Sequence, residues 1–519
     1  MLSLGLPLGC ATVLDIDDPR DPPTPAEPMP IFATGGRPAA TQDPTTCAQA
    51  TAAKSYVGCD FYPTVLANTV DSVFDFAVAV ANVGKEAATL SVSGPGIDAT
   101  KVAVDAGEVR IVKLPWVRSL KGLDADACGN GQAQNLNVVA KGGAYHLQSS
   151  SPVVVYQFNA LQYAPDDSKS FAACAGYRVC ATSHVPVGCF SFSNDATLLF
   201  PATAVSANYR VAALDGGLLS FTALADDTRI SLRLPAGASV SGSADGTVPK
   251  TAAGRVLSLR LEKAGDVAQV DVEGTTASFS GALATGNHPF QLISGHACAQ
   301  VPEGVPACDH TEEQLPPAES LGSSYLLAAP TGPLGNPVAR WVRLVGNADG
   351  TELEYAPSRP EGCPTRLDAG EVGNCGLVEG NLAIKGSHEL LVVSSLLGAS
   401  VVDSFGGAGD PSLYTHASLE QFRTRYVFLA PKGYDAQFAD ILTERDTELL
   451  LDGRKLSTAN LEPTSGSYGV LRVRLEAGVH ELSGNHPIGL GVDGYGAYTS
   501  YAYPGGLDAR FIAPPPPVK

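Results

Sequence analysis

The sequence predicts an all-β chain of about four tandem sandwich-like units, with a closed ring of four blade-like sheets as the alternative arrangement. Three observations carry this. Short apolar or alternating runs are bounded by turn residues. The 55 glycines and 38 prolines supply those turns. One succession of motifs occurs four times along 519 residues. Long helical periodicity is absent, and "ASLEQFRTR", Ala417–Arg425, is the best short helix candidate.

Residues 1–10, "MLSLGLPLGC", form a short apolar stretch that resembles the end of a bacterial lipoprotein signal, with Gly9 before Cys10. Pro7 departs from that pattern and no basic segment precedes it, so the expectation is that the start lies inside a longer signal. Cys10 is the expected lipid-bearing residue. Residues 11–46 read as an acidic, Pro-rich linker. "LDIDDPRDPPTPAEPMP" has too little apolar surface to fold, and its prolines keep it extended.

Four β units follow, at 47–200 (enlarged), 201–318, 319–422 and 423–511. "FDFAVAVANVG", "SPVVVYQFN", "TRISLRLP" and "TELLLDG" are typical of their strands. Each unit repeats one order of signals. A turn-then-strand element falls at Thr89, Thr228, Thr351 and Thr447. An Ala-Gly turn follows at Gly107, Gly265, Gly370 and Gly478, where glycine supplies a positive φ. A strand opener comes last, "SSSPVVV", "GNHPFQL", "GSHELLV" and "GNHPIGL". Residues 512–519 read as a polyproline tail.

The net charge of −19 argues against nucleic acid and against anionic lipid headgroups as partners, since both need a basic face. No apolar run is long enough to span a bilayer. Of the 11 cysteines, Cys10 set aside leaves an even number. Cys47 with Cys59, Cys298 with Cys308 and Cys363 with Cys375 are close pairs, and Cys128, Cys174, Cys180 and Cys189 have no connectivity that sequence fixes. No CxxC occurs, so the cysteines point to disulfides and an oxidising compartment.

No nucleophile elbow, zinc-protease helix or phosphate loop is present. The best candidate for chemistry is "GHACAQVPEGVPACDH" with the acids that follow it. If two strands pair at Cys298 and Cys308, the period of two sets His296 opposite His310, with Glu312 two further on, a possible metal set. Against it, ten residues between the cysteines suit a disulfide across a hairpin, and two histidines alone make a weak site. The staple is therefore the expectation, with no metal, no catalytic residue and no cofactor. The acidic loops "LDADAC" and "YAPDDSKS" lack the spacing of a calcium loop. The run "GYGAYTSYAYPGG" offers Tyr495, Tyr498, Tyr501 and Tyr503 as a recognition surface for protein or glycan, or as core of a strand pair.

Taken together, "YVGCDFYP", "FAVAVAN", "SPVVVYQFN", "SNDATLLFPATA", "GHACAQVP" with "CDHTEEQLPP", and "SYAYPGG" resemble the N-terminal domain family of IgG Fc-binding proteins, in a bacterial, myxobacterial-looking branch. The similarity runs from Ser55 to Gly506. It implies an extracellular β-rich binding module and transfers no catalytic residue; Fc binding is not carried over with it. The function expected is a non-enzymatic surface binding or adhesion module, held at the outer membrane by a lipid anchor, with an extracellular protein or glycan as ligand. The rival is a secreted metal-dependent hydrolase centred on His296, His310 and Glu312.

Overall fold

The computed structural model describes residues 43–124, 136–164, 190–306, 308–403 and 407–517. Cys10, Cys128, Cys174, Cys180 and Cys189, most of the two acidic loops and most of the linker lie outside the described residues. Within them the chain is nearly all β, in six antiparallel sheets.

The motif succession has a structural reason. Thr228 and Thr351 each open a strand, Thr89 is the second residue of one, and Thr447 stands two residues before another. In every unit the opener segment lends a side chain to that strand. Ser150 accepts from the amide of Thr89, Asn287 from Arg229, Ser387 from Glu352 and Asn485 from Glu448, at 2.7–2.9 Å. The turn glycines all have positive φ. A recurring sequence pattern thus encodes a recurring capped turn, and with it the register of each unit.

Strands covered on both faces come from a continuous apolar run in Phe76–Ala81 and from a run broken only by the small polar Ser220 and Thr222 in Leu218–Ala223; every residue of both is buried. Alternating runs make one-sided strands, as in Thr228–Arg233 and Val256–Leu261. The second unit packs the sheet containing Phe290–Ala299 against the one containing Thr228–Arg233. The third packs Leu382–Gly386 and its neighbours against Leu390–Ser395 and its neighbours. In the first and fourth, one long strand serves in both halves: His146–Asn159 and Gly478–Gly496.

Apolar clusters then join the units in a circle. Leu218, Val267 and Ile293 pack into the first unit's core, and Leu391, Val393 and Leu413 into the second's. Leu326 and Ala383 meet Leu442 and Val470, and Tyr426, Phe428 and Tyr503 meet Tyr56, Tyr156 and Phe158. The Tyr156 hydroxyl locks that last joint, donating its one proton to the Gly505 carbonyl at 2.7 Å with the Val427 carbonyl also within reach at 3.1 Å. The chain is thus an all-β array of units, two of them sandwiches of two sheets and two each built on one continuous curved sheet, joined in a circle by apolar clusters; single blade-like sheets are not what the units are made of. The short helix anticipated at Ala417–Arg425 is only a 3-10 turn, Leu419–Gln421, because Arg423 already begins a strand.

Candidate functional site

Near the axis of the ring four short strands converge, one from each unit: Ala196–Leu199, Asp309–Gln314, Leu413–Thr415 and Thr499–Pro504. The second of these reads Asp-His-Thr-Glu-Glu-Gln, and all six residues are buried. A polar strand can be buried only if its groups are partnered. One edge pairs with Phe290–Ala299. On the other edge, side chains replace a neighbouring strand. Ser193, Asp195 and Thr197, spaced by two as a strand requires, accept from the amides of His310 (2.7 Å), Glu312 (2.9 Å) and Gln314 (2.8 Å). The third unit is held the same way. Glu313 accepts from the amide of Thr415 at 2.9 Å, and Asp195 from that of Leu413 at 3.2 Å. Thr499 of the fourth unit donates toward Asp309 and Asn194 at 3.3 Å.

Burial dominates the electrostatics of this hub. It pushes Asp195, Asp309 and Glu312 well above the carboxylate range, against the hydrogen bonds that favour their ionised forms. It raises Glu313 and Asp410 to about 8. It lowers His310 to about 3 and His296 to about 4, so both rings are neutral at physiological pH.

The hairpin that feeds this strand carries the stretch singled out from sequence. Cys298 and Cys308 form a disulfide, as do Cys47 with Cys59 and Cys363 with Cys375. The expected pairing of His296 with His310 is corrected. His296 lies opposite Thr311 and Ala299 opposite Asp309, because a bulge between them adds a residue to one strand. The His296 Nδ1 instead accepts from the Cys298 amide at 2.9 Å, and His310 turns to Asn159 at 2.7 Å. Glu312 lies 3.6 Å from His310 and accepts from Gln157 at 3.0 Å. Among the described residues no group of three His, Cys, Asp or Glu is arranged to hold a metal.

A cavity of about 50 Å³ lies between the third and fourth units, lined by Tyr414, His416, Phe422, Asp440, Leu490 and Asp493 among others. Arg472 (3.1 Å) and Thr331 hold Asp440 there. The volume admits a few waters, far below the roughly 300 Å³ of a small-molecule pocket.

The tyrosine run divides. Tyr495, Tyr501 and Tyr503 are buried, so they form no part of a surface. Their two strands pair with each other, and the rings of Tyr501 and Tyr503 pack on Tyr434 and Tyr156 at 4.8 and 4.7 Å. Tyr498, at the tip of that hairpin, is 51 % exposed and has φ of 55°. Its amide donates to the Gly407 carbonyl at 2.8 Å, which fixes the tip. The hub acceptors Ser193, Asp195 and Thr197 were not singled out as site residues, although their spacing of two is the signal that could have found them.

Residues 195–494 match the family model described as IgGFc binding protein, a span that begins at Asp195 in the hub and covers more than half of the chain. No curated protein matches the chain.

Proposed function

The chain belongs to the IgGFc-binding protein family, and from that premise we propose that it is a non-enzymatic binding and adhesion module acting outside the cell. The partner is an extracellular protein or glycan. Three disulfides accord with an oxidising compartment, and no helix among the described residues is long and apolar enough to cross a membrane. Two of the three groups that sequence offered for hydrolysis favour the binding reading: His310 and Glu312 are fully buried, and only His296 is partly exposed.

The observation that carries the proposal is the position of Tyr498. The described ends of the chain meet on one side of the ring. Asp43 pairs with Arg423 and Arg425, and Lys54 lies 4.4 Å over the Phe511 ring. Leu490, whose carbonyl accepts from the Gly505 amide next to Gly506 and Tyr56, stands at that level. From there the strand runs six residues to Gly496, roughly 20 Å at 3.3 Å per residue, before the tip. Tyr498 is therefore presented away from the side at which a tether would attach. A tyrosine there offers rigid apolar area with a hydroxyl, as recognition surfaces do.

Lipidation of Cys10, tethering the module to the outer membrane through the linker, completes the proposal. Radiolabelled palmitate should enter the wild type and not Cys10→Ser; equal labelling ends the anchor reading. For the contact, a photo-crosslinker at position 498 should give a discrete adduct with intact cell-surface material. The same group at Leu377, also exposed, should give none. Equal adducts from both positions, or none from 498, overturn the tip as the contact.

A further inference from the structure

We propose that the outward face of the two outer strands, Val256–Leu261 and Thr228–Arg233, of the sheet they form with Leu283–Gly286 and Asn208–Arg210, binds an anionic polysaccharide. This site is separate from the Tyr498 tip and does not depend on it.

The alternation of the two outer strands is strict. Leu257, Leu259, Leu261, Ile230 and Leu232 point into the core; Arg229, Ser231, Arg233, Val256, Ser258 and Arg260 are exposed. The register then fixes the face. Arg229 lies opposite Arg260, Ser231 opposite Ser258 and Thr285, and Arg233 opposite Val256. A row of guanidinium groups is followed by a row of hydroxyls and then by another guanidinium. Arg229 and Arg233 stand roughly 13 Å apart along the strand.

The charge is local and runs against the whole. In a chain of net charge −19, residues 228–261 carry Arg229, Arg233, Lys250, Arg255 and Arg260 against the single acid Asp245. Arg229 and Arg260, like charges directly opposite each other, share one carboxylate, Asp227, at 2.7 and 3.0 Å. Arg233 has no acidic partner among the described residues, and Arg255 and Lys250 lie exposed at the end of the sheet. Nearby, Lys263 pairs with Asp226 and Lys141 with Glu262, so those acids do not neutralise the face.

The fold does not require this. The side chain that caps Arg229 in this unit caps Glu352 in the third and Glu448 in the fourth. Counting from that anchor, Ser231 corresponds to Glu354 and Leu450. The same exposed strand is thus basic in one unit, acidic in the next, and headed by Glu448 with an exposed leucine in the last.

The pattern selects the partner. Guanidinium groups bind sulfate and carboxylate bidentately, and the intervening hydroxyls suit sugar hydroxyls. No aromatic side chain lies among the face residues named above, so base stacking has no platform there. Val256 is their one large apolar side chain, too little to enter a bilayer.

The test uses the whole chain on immobilised heparin and alginate at low ionic strength. Wild type should be retained on at least one and released by salt. R229Q/R233Q/R260Q should weaken retention about tenfold or more, the scale set by three exposed ion contacts. R366Q/K385Q/R454Q, which changes net charge equally but on other units, should stay within about twofold. Unchanged unfolding midpoints show that both variants fold. Absence of binding to either matrix, equal losses from the two triples, or binding to phosphatidylserine vesicles in place of the polysaccharides would each overturn the proposal. Loss of the Tyr498 adduct alone would leave it standing.

Discussion

The buried carboxyl group of Asp195, in the first unit, accepts the backbone amide of Glu312, in the second, at 2.9 Å. The same side chain accepts from the Leu413 amide and the Ser412 hydroxyl of the third unit, so one buried residue joins three quarters of the ring.

Asp195→Ala strands three buried amides, those of Ala196, Glu312 and Leu413, and the Ser412 hydroxyl, each costing about 1–3 kcal/mol unpaired. The variant should lose at least about 3 kcal/mol, and Asp195→Asn, which keeps one acceptor oxygen, about half of that. Urea unfolding measures both. An alanine variant within about 1 kcal/mol of wild type refutes the role assigned to this residue.

Stability should fall as pH rises from about 6.5 to 8. The folded chain raises Glu313 and Asp410 to about 8 and Asp271 to about 7, so native protein holds protons that the unfolded chain has released. Their stabilisation is complete below the unfolded carboxyl pKa and is lost as pH passes through those values. His296 and His310, depressed to about 4 and about 3, act oppositely: their contribution is present above about 6.5 and lost toward acid. Between 6.5 and 8 only the acids titrate, which gives that interval its sign. Melting temperature across buffers is the measurement, and Glu313→Gln should flatten the slope. A melting temperature that climbs from pH 6.5 to 8 contradicts this account.

Cys298→Ser should cost about 3 kcal/mol, the loop-closure value for a loop of this length, and leave Cys308 open to alkylation. The purified protein should contain no stoichiometric zinc. Zinc that disappears on His296→Ala, in protein whose two thiols titrate as free, would revive the metal reading.

Within the tyrosine run, substitutions should separate sharply. Tyr498→Gly should be neutral or stabilising by up to about 1 kcal/mol, since the tip backbone is left-handed and the ring exposed. Tyr501→Ala should cost about 3–5 kcal/mol, because it empties a core position and orphans Gln437. Thermal unfolding of the two variants decides; equal losses would place both rings in the same environment.

The sequence by itself determined the all-β class, the three close disulfides and the four-fold motif. Each is local: turn chemistry, a period of two and cysteine spacing act within about a dozen residues. Tertiary structure decided the rest. "DHTEEQ" has the composition of a solvated loop, yet it is a buried strand, because Ser193, Asp195 and Thr197, more than a hundred residues away, satisfy its amides. One bulge moved His296 off His310, a shift of a single residue that no spacing argument sees. Tyr498 and Tyr501 stand three residues apart with opposite fates, because the hairpin turns between them and the fourth unit must close on the first. Burial and charge at the centre of a ring depend on which distant strands arrive there, and that is set by the packing of whole units against one another.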